Sequence, residues 1–121
     1  MIAMVTTNEL LQKRCRHLDT GLSDTEIAQH LAAVPGWALQ EGKVAKTYSF
    51  ANYYETIAFV NAIAWLIHAE DHHPDLTVTY NRCIVKFDTH SVNGGRGGIS
   101  ENDFICAAKV DAVYQQGRHQ G

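Results

Sequence analysis

Hydrophobic and polar positions along the chain switch between a helical period and a period of two, and the switches predict its elements. In "LSDTEI", Ser23 is a helix N-cap and Glu26 completes a capping box. Leu22 and Ile27 can form a hydrophobic staple across that start. The helix is expected to run to about Ala33, where Pro35-Gly36 turns the chain. "WALQEGKVAKTYSF" predicts a hairpin. Trp37 and Leu39 alternate with polar positions, Glu41-Gly42 turns, and Val44, Lys46, Tyr48 and Phe50 keep the period of two.

The strongest helical signal is "NYYETIAFVNAIAWLIHAED", with Asn52 as cap and Glu55 three residues on. Ile57, Val60, Ala64 and Ile67 make one apolar stripe, which Phe59, Ile63 and Leu66 widen beyond a single face. Trp65 and Phe59 read as packing residues. So much apolar surface predicts cover from two sides, by the chain's own sheet and by another copy. A homo-oligomer is expected, with this helix near the interface. "LTVTY" and "CIVKFDT" are strands. Leu76, Val78 and Tyr80 share one face of the first, Val85 and Phe87 one face of the second, and Asn81-Arg82 turns between them. "SVNGGRGG" reads as a flexible loop, because four glycines are costly to order. "ISENDF" is a second capping box: Ser100 caps, Asp103 holds the third position, and Ile99 can staple to Phe104. The last helix is expected to end near Gln116.

Residues 1–20 have weak periodicity and read as a partly ordered lead-in, and residues 117–121 as a polar tail. A chain of 121 residues suits one domain, 1–121. The order α-β-β-α-β-β-α predicts an α+β fold: a two-layer sandwich, with an antiparallel four-stranded sheet and three helices on one face.

Composition narrows the function classes. The net charge is -3 and the basic residues are scattered, apart from Lys13, Arg14 and Arg16, so no direct nucleic-acid partner is expected. The longest apolar-rich stretch, residues 57–69, is too short to span a bilayer and contains Asn61 and His68, so no membrane role is expected. Cys15, Cys83 and Cys106 are odd in number and widely spaced, with no CxxC, which fits a reducing compartment. With no signal peptide recognised at the N-terminus, a cytoplasmic location is expected. "GGRGG" lacks the strand-loop-helix frame and the lysine of a phosphate loop.

The chemistry concentrates in "HAEDHHPDLTVTYNRCIVKFDTH", which holds four of the seven histidines. His68 and His72 are four apart at a helix end and can share a face. Pro74 stops the helix and biases His73 toward extended backbone, which puts His72 and His73 at a helix–strand junction. If the next two strands pair, their outer ends meet, and His90 returns beside that junction. Three readings stand. The histidines could be surface groups favoured by a helix C-terminus. An i, i+4 pair plus a distant histidine could hold zinc, although the glutamate of H-E-x-x-H is missing and no cysteine lies close in sequence except Cys83. Neighbouring imidazoles could also supply an acid and a base near neutral pH.

These residues resemble the signature of pterin-4a-carbinolamine dehydratases. The likeness lies in "H-x-x-x-H-H-P" at 68–74, Tyr80, His90 and Asp103 at the family's spacing. It extends to "VPGW" at 34–37, "F-x-N-Y" at 50–53, "THSV" at 89–92, and "NDF" and "AAKVD" within 102–111. The resemblance implies the α+β sandwich in dimers or tetramers. It also implies removal of water from 4a-hydroxytetrahydropterin to give quinonoid dihydropterin, without a metal or organic cofactor, in recycling the cofactor of aromatic amino acid hydroxylases. His72, His73 and His90 match the family's active-site histidines: His72 and His90 for acid–base work, His73 for holding the pterin with a proton role. Asp71, Asp88, Thr89 and Ser91 match substrate contacts. An aromatic amino acid hydroxylase is an implied partner, and some family members also stabilise dimers of a transcription factor through the long helix. Two positions depart from the family pattern. His68 stands where the family often has glutamate, leaving Glu70 or Asp71 to support the base, and the glycine loop is long.

Overall fold

The computed structural model describes residues 4–118; of the expected lead-in and tail, residues 1–3 and 119–121 lie outside the described residues. The elements are α1 (Thr7–Gln12), α2 (Asp24–Ala32), β1 (Ala38–Gln40), β2 (Lys43–Ser49), α3 (Tyr53–Glu70), β3 (Asp75–Val78), β4 (Arg82–Phe87), a 3-10 turn (Asn93–Gly95) and α4 (Glu101–Arg118). The expected α+β order is present, with α1 added in front. The sheet is antiparallel in the order β1-β2-β4-β3, so β4 is central and β3 is an edge.

Register puts one set of side chains under the helices. Val44 pairs with Phe87, Lys46 with Val85 and Tyr48 with Cys83, while Leu76 and Val78 of β3 extend the same rows. Val44, Tyr48, Cys83, Val85 and Phe87 are buried there against Phe59 and Ile63 of α3 and Phe104, Ile105 and Ala108 of α4. The helices divide the work: α3 and α4 lie against the sheet, and α1 and α2 pack on α4. Asp111 of α4 pins this layer from below. It accepts hydrogen bonds from Trp37 Nε1 (3.0 Å), Lys46 Nζ (2.8 Å) and the Tyr48 hydroxyl.

The helix starts follow the sequence reading. Ser23 and Glu26 form the full capping box, and Asn52 accepts from Glu55 N–H. At α4 the Asp103 carboxylate accepts from Ser100 N–H at 2.8 Å, while the Ser100 hydroxyl oxygen accepts from Asn102 N–H at 3.2 Å.

Five expectations are corrected. The first concerns the partly ordered lead-in, whose described part, residues 4–20, is anchored: Leu10 of α1 is fully buried. Burying a leucine is worth about 1.5–3 kcal/mol, which supports a short helix that could not stand alone. Second, the face of α3 turned to the core is Thr56, Phe59, Ile63 and Glu70, whereas Ile57, Val60 and Ile67 flank it and Ala64 is exposed. Thr56 belongs to that face because its hydroxyl donates back to Asn52 C=O and across to Tyr80 C=O. Third, Trp65 is not a packing residue among the described residues, being 79% exposed. Fourth, the β3–β4 turn falls one residue early, on Tyr80-Asn81, because Val78 pairs with Cys83 and Thr79 N–H donates to Arg82 C=O. Fifth, the glycine loop is pinned. Asn93 N–H donates to Asp19 C=O, Gly97 N–H to Val92 C=O, and Val92 is fully buried.

Candidate active site

At the C-terminal end of α3 the chain makes one sharp move. Asp71 adopts a left-handed conformation (φ 51°, ψ 42°) and ends the helix, its N–H bonded to His68 C=O. Asparagine and aspartate tolerate that region better than most residues. His72 is thereby thrown inward, and Pro74 leads the chain on into β3. The β3–β4 hairpin returns Asp88, Thr89, His90 and Ser91 to the same place. All seven candidate residues, Asp71, His72, His73, Asp88, Thr89, His90 and Ser91, line one open cleft of about 610 Å³. That volume suits a small heterocycle.

The three imidazoles are held differently. His72 is nearly buried and stacks on Phe87 of the central strand, with ring centroids 5.8 Å apart and planes 9° from parallel. Its Nε2 lies 2.6 Å from Oδ1 of Asp103, a fully buried carboxylate in the first turn of α4. The other oxygen of Asp103 accepts from Ser100 N–H (2.8 Å) and from the Thr89 hydroxyl (2.9 Å). Since Thr89 donates its single proton there, it accepts from the Ser100 hydroxyl at 2.7 Å. Asp103 is thus fixed by two donors from behind and meets His72 in front. This fixes the tautomer: Nε2–H donates to Asp103, and Nδ1 is left as the basic nitrogen. His73 and His90 are largely exposed. Their Nε2 atoms lie 3.7 Å from Asp71 and 3.5 Å from Asp88, respectively.

Two expected contacts have other duties. Thr89 N–H and C=O both pair with Gly98, and its side chain supports Asp103. The Ser91 hydroxyl donates to Leu18 C=O. Glu70 lines the cleft but is not free to support a base. Its oxygens accept from Cys15 N–H and Lys109 Nζ, both at 2.7 Å. Burial pushes the Glu70 carboxyl up, but the Cys15 N–H, the Lys109 ammonium and Arg14 outweigh it and hold the group below the ordinary 4.5. The carboxylate that serves His72 is Asp103.

Sequence reasoning also missed a wall. Residues 13–22 run as a strap along the cleft and bring in Cys15, Arg16 and His17. Lys109 Nζ donates to Lys13 C=O, and Arg16 exchanges two bonds with the Asn102 side chain. Leu22 N–H donates to Ile99 C=O. The only signal was the basic cluster Lys13, Arg14 and Arg16, whose first and last members pair with Glu101. Among the described residues no group of three or more histidine, cysteine or carboxylate side chains is arranged to hold a metal ion.

The family model for pterin 4 alpha carbinolamine dehydratase matches residues 20–113. This chain belongs to the pterin-4a-carbinolamine dehydratase family. Dehydratases of this kind are hydro-lyases. A relative from Bdellovibrio bacteriovorus, which carries the provisional name pterin-4-alpha-carbinolamine dehydratase, is 60% identical over 91% of this chain and 92% of its own. One from Nitrosospira multiformis with the same provisional name is 48% identical over 91% of this chain and 96% of its own. A crystal structure described as a transcriptional coactivator/pterin dehydratase from Brucella melitensis matches with a TM-score of 0.70 and 28% identity. It covers 78% of this chain and 98% of its own length. The dehydratase family match begins at residue 20, so most of the strap precedes it. No helix among the described residues is long and apolar enough to cross a membrane.

Proposed function

We propose that this chain dehydrates 4a-hydroxytetrahydropterin to quinonoid dihydropterin by histidine acid–base catalysis in the cleft between α3, β4 and α4. The observation that carries the reading is the His72–Asp103 contact. A buried carboxylate that orients one imidazole and stabilises its protonated form is what a general base requires.

The reaction needs one proton delivered and one removed. The C4a hydroxyl leaves as water once an acid protonates it, and the N5 proton must go to a base. His72 takes the N5 proton on Nδ1, and the imidazolium that forms is held by Asp103. His90 delivers the proton to the hydroxyl, and its exposure lets it reload from solvent. His73 holds the pterin and shares in the proton traffic. The Asp71 and Asp88 carboxylates stand at the rim as acceptors for the ring's amino and N3–H donors, and Ser91 borders the same edge. The backbone at Thr89 shapes that edge while its hydroxyl supports Asp103. Neither a metal nor an organic cofactor enters any step.

The product would be reduced again for use by an aromatic amino acid hydroxylase, which makes such an enzyme the metabolic partner and the cytoplasm the location. A second surface supports self-association. Tyr54, Ala58, Ala62, Trp65 and Ala69 lie along the exposed side of α3, and Tyr54 and Trp65 are 83% and 79% exposed. An apolar stripe of this kind favours a homodimer or homotetramer; a transcription factor or hydroxylase would have to use the same face.

The test is direct: purified chain is added to freshly generated 4a-hydroxytetrahydropterin and loss of its ultraviolet absorbance is followed. Acceleration over the spontaneous rate supports the reading, and an unchanged rate at micromolar protein refutes it.

A further inference from the structure

The cleft wall carries a pair of thiols for which the dehydration has no use. Cys15 sits half-buried on the strap and borders the cleft, while Cys106 is buried in α4. The two are 91 positions apart in the chain, yet their sulfur atoms are 3.5 Å apart. A disulfide needs about 2.05 Å between sulfurs, so about 1.5 Å of approach closes it. The strap side can supply that movement, because Cys15 lies outside any helix or strand: it packs at the edge of the core, its N–H donates to Glu70 and its thiol lies near Asn102 C=O.

We propose that Cys15 and Cys106 are a site of reversible oxidation by hydroperoxides, forming an intramolecular disulfide that fastens the strap to α4. Access divides the roles. Cys15 can be reached from the cleft and takes the oxygen: Cys15–SH and H2O2 give Cys15–SOH and water. Cys106 is reached by no oxidant from solvent, but its sulfur already touches Cys15. It attacks the sulfenic sulfur, the S–S bond forms, the S–O bond breaks, and hydroxide leaves with the Cys106 proton as a second water. Hydrogen bonding to Cys15, and then burial, raise the Cys106 thiol far above its ordinary range, so it waits as a protonated resolving group. The third thiol, Cys83, is buried on β4, and burial pushes it up to about 11. It serves as the unreactive internal control.

The bond would close a loop spanning most of the chain and fix the wall that presents Arg16 and His17 to the cleft. Any effect on catalysis rests on the proposed function; the cross-link itself does not, and is measured without an activity assay. Full-length chain is treated with hydrogen peroxide, its free thiols are alkylated without reduction, and it is cleaved at aspartate and glutamate. The expected product joins "LLQKRCRHLD" to "FICAAKVD" through Cys15 and Cys106, with Cys83 alkylated. Free thiols fall from three to one per chain and return to three with dithiothreitol. In Cys15→Ser, Cys106 stays fully alkylatable after peroxide. In Cys106→Ala, Cys15 is captured as the sulfenic acid by dimedone. Three results would each overturn the proposal: both thiols still free after peroxide, Cys15 driven to sulfinic acid with Cys106 free, or Cys15 linked only to a second copy of the chain.

Discussion

His72 and Asp103 are 31 positions apart, on the end of one helix and the start of another, and meet with Nε2 and Oδ1 2.6 Å apart. Three neighbours hold this meeting in place. Phe87 fixes the ring plane, while Ser100 and Thr89 fix the carboxylate. Asp103→Asn keeps the shape but loses the acceptor that selects the tautomer. The expected outcome is a fall in kcat of about 10²-fold or more with little change in KM. Steady-state kinetics below the thermal midpoint checks this. The asparagine oxygen can still accept from Ser100 N–H, so the helix start is kept, and a parallel melting curve reads any loss of stability separately.

The strap is held by carboxylates, and its hold depends on pH. In Glu101, burial pushes the carboxyl up, but hydrogen bonds from Lys13 and Arg16 outweigh it, so the group stays below 4.5. Glu70 is shifted the same way by Cys15, Lys109 and Arg14. A carboxyl depressed in the folded state stabilises it above the unfolded value, and that contribution is lost as pH falls through the folded value. Stability is therefore expected to hold from neutrality to about pH 5 and to decline below 4.5. Glu70→Gln should cost about 1–3 kcal/mol at neutral pH and flatten the acid decline, as read by thermal melts across pH.

Trp65 is 79% exposed among the described residues, and the small residues Ala58, Ala62 and Ala69 leave room beside it for a partner helix. Trp65→Glu is expected to lower the mass in solution toward the 13.4 kDa monomer, measured by light scattering after size exclusion. An oligomer of unchanged mass would place the interface elsewhere.

Much of this arrangement was legible in the residues. Capping boxes marked α2 and α4, period-two runs marked the strands, and the hairpin geometry alone predicted that His90 returns toward His72 and His73. Local chemistry ended where tertiary contact began. Asp103 was readable as a cap and as a family position, but its second duty needs α3 to finish beside α4, which no local pattern encodes. The strap was illegible because its backbone bonds to side chains far along the chain, Glu70, Asn102 and Asn93, and not to a periodic partner. Apolar content could not tell the inner face of α3 from its outer one: Phe59 went in and Trp65 went out. In the glycine loop, buried Val92 and the bonds of Asn93 outweigh the entropy of four glycines.

The central claim is that imidazoles brought from a helix end and a strand end exchange protons with one bound pterin. The most direct measurement is the dehydration rate of the His73→Ala/His90→Ala double variant beside that of the unaltered chain. Loss of about 10²-fold or more, with a melting temperature close to the parent's, is the predicted result. A double variant that removes water as fast as the parent would contradict it.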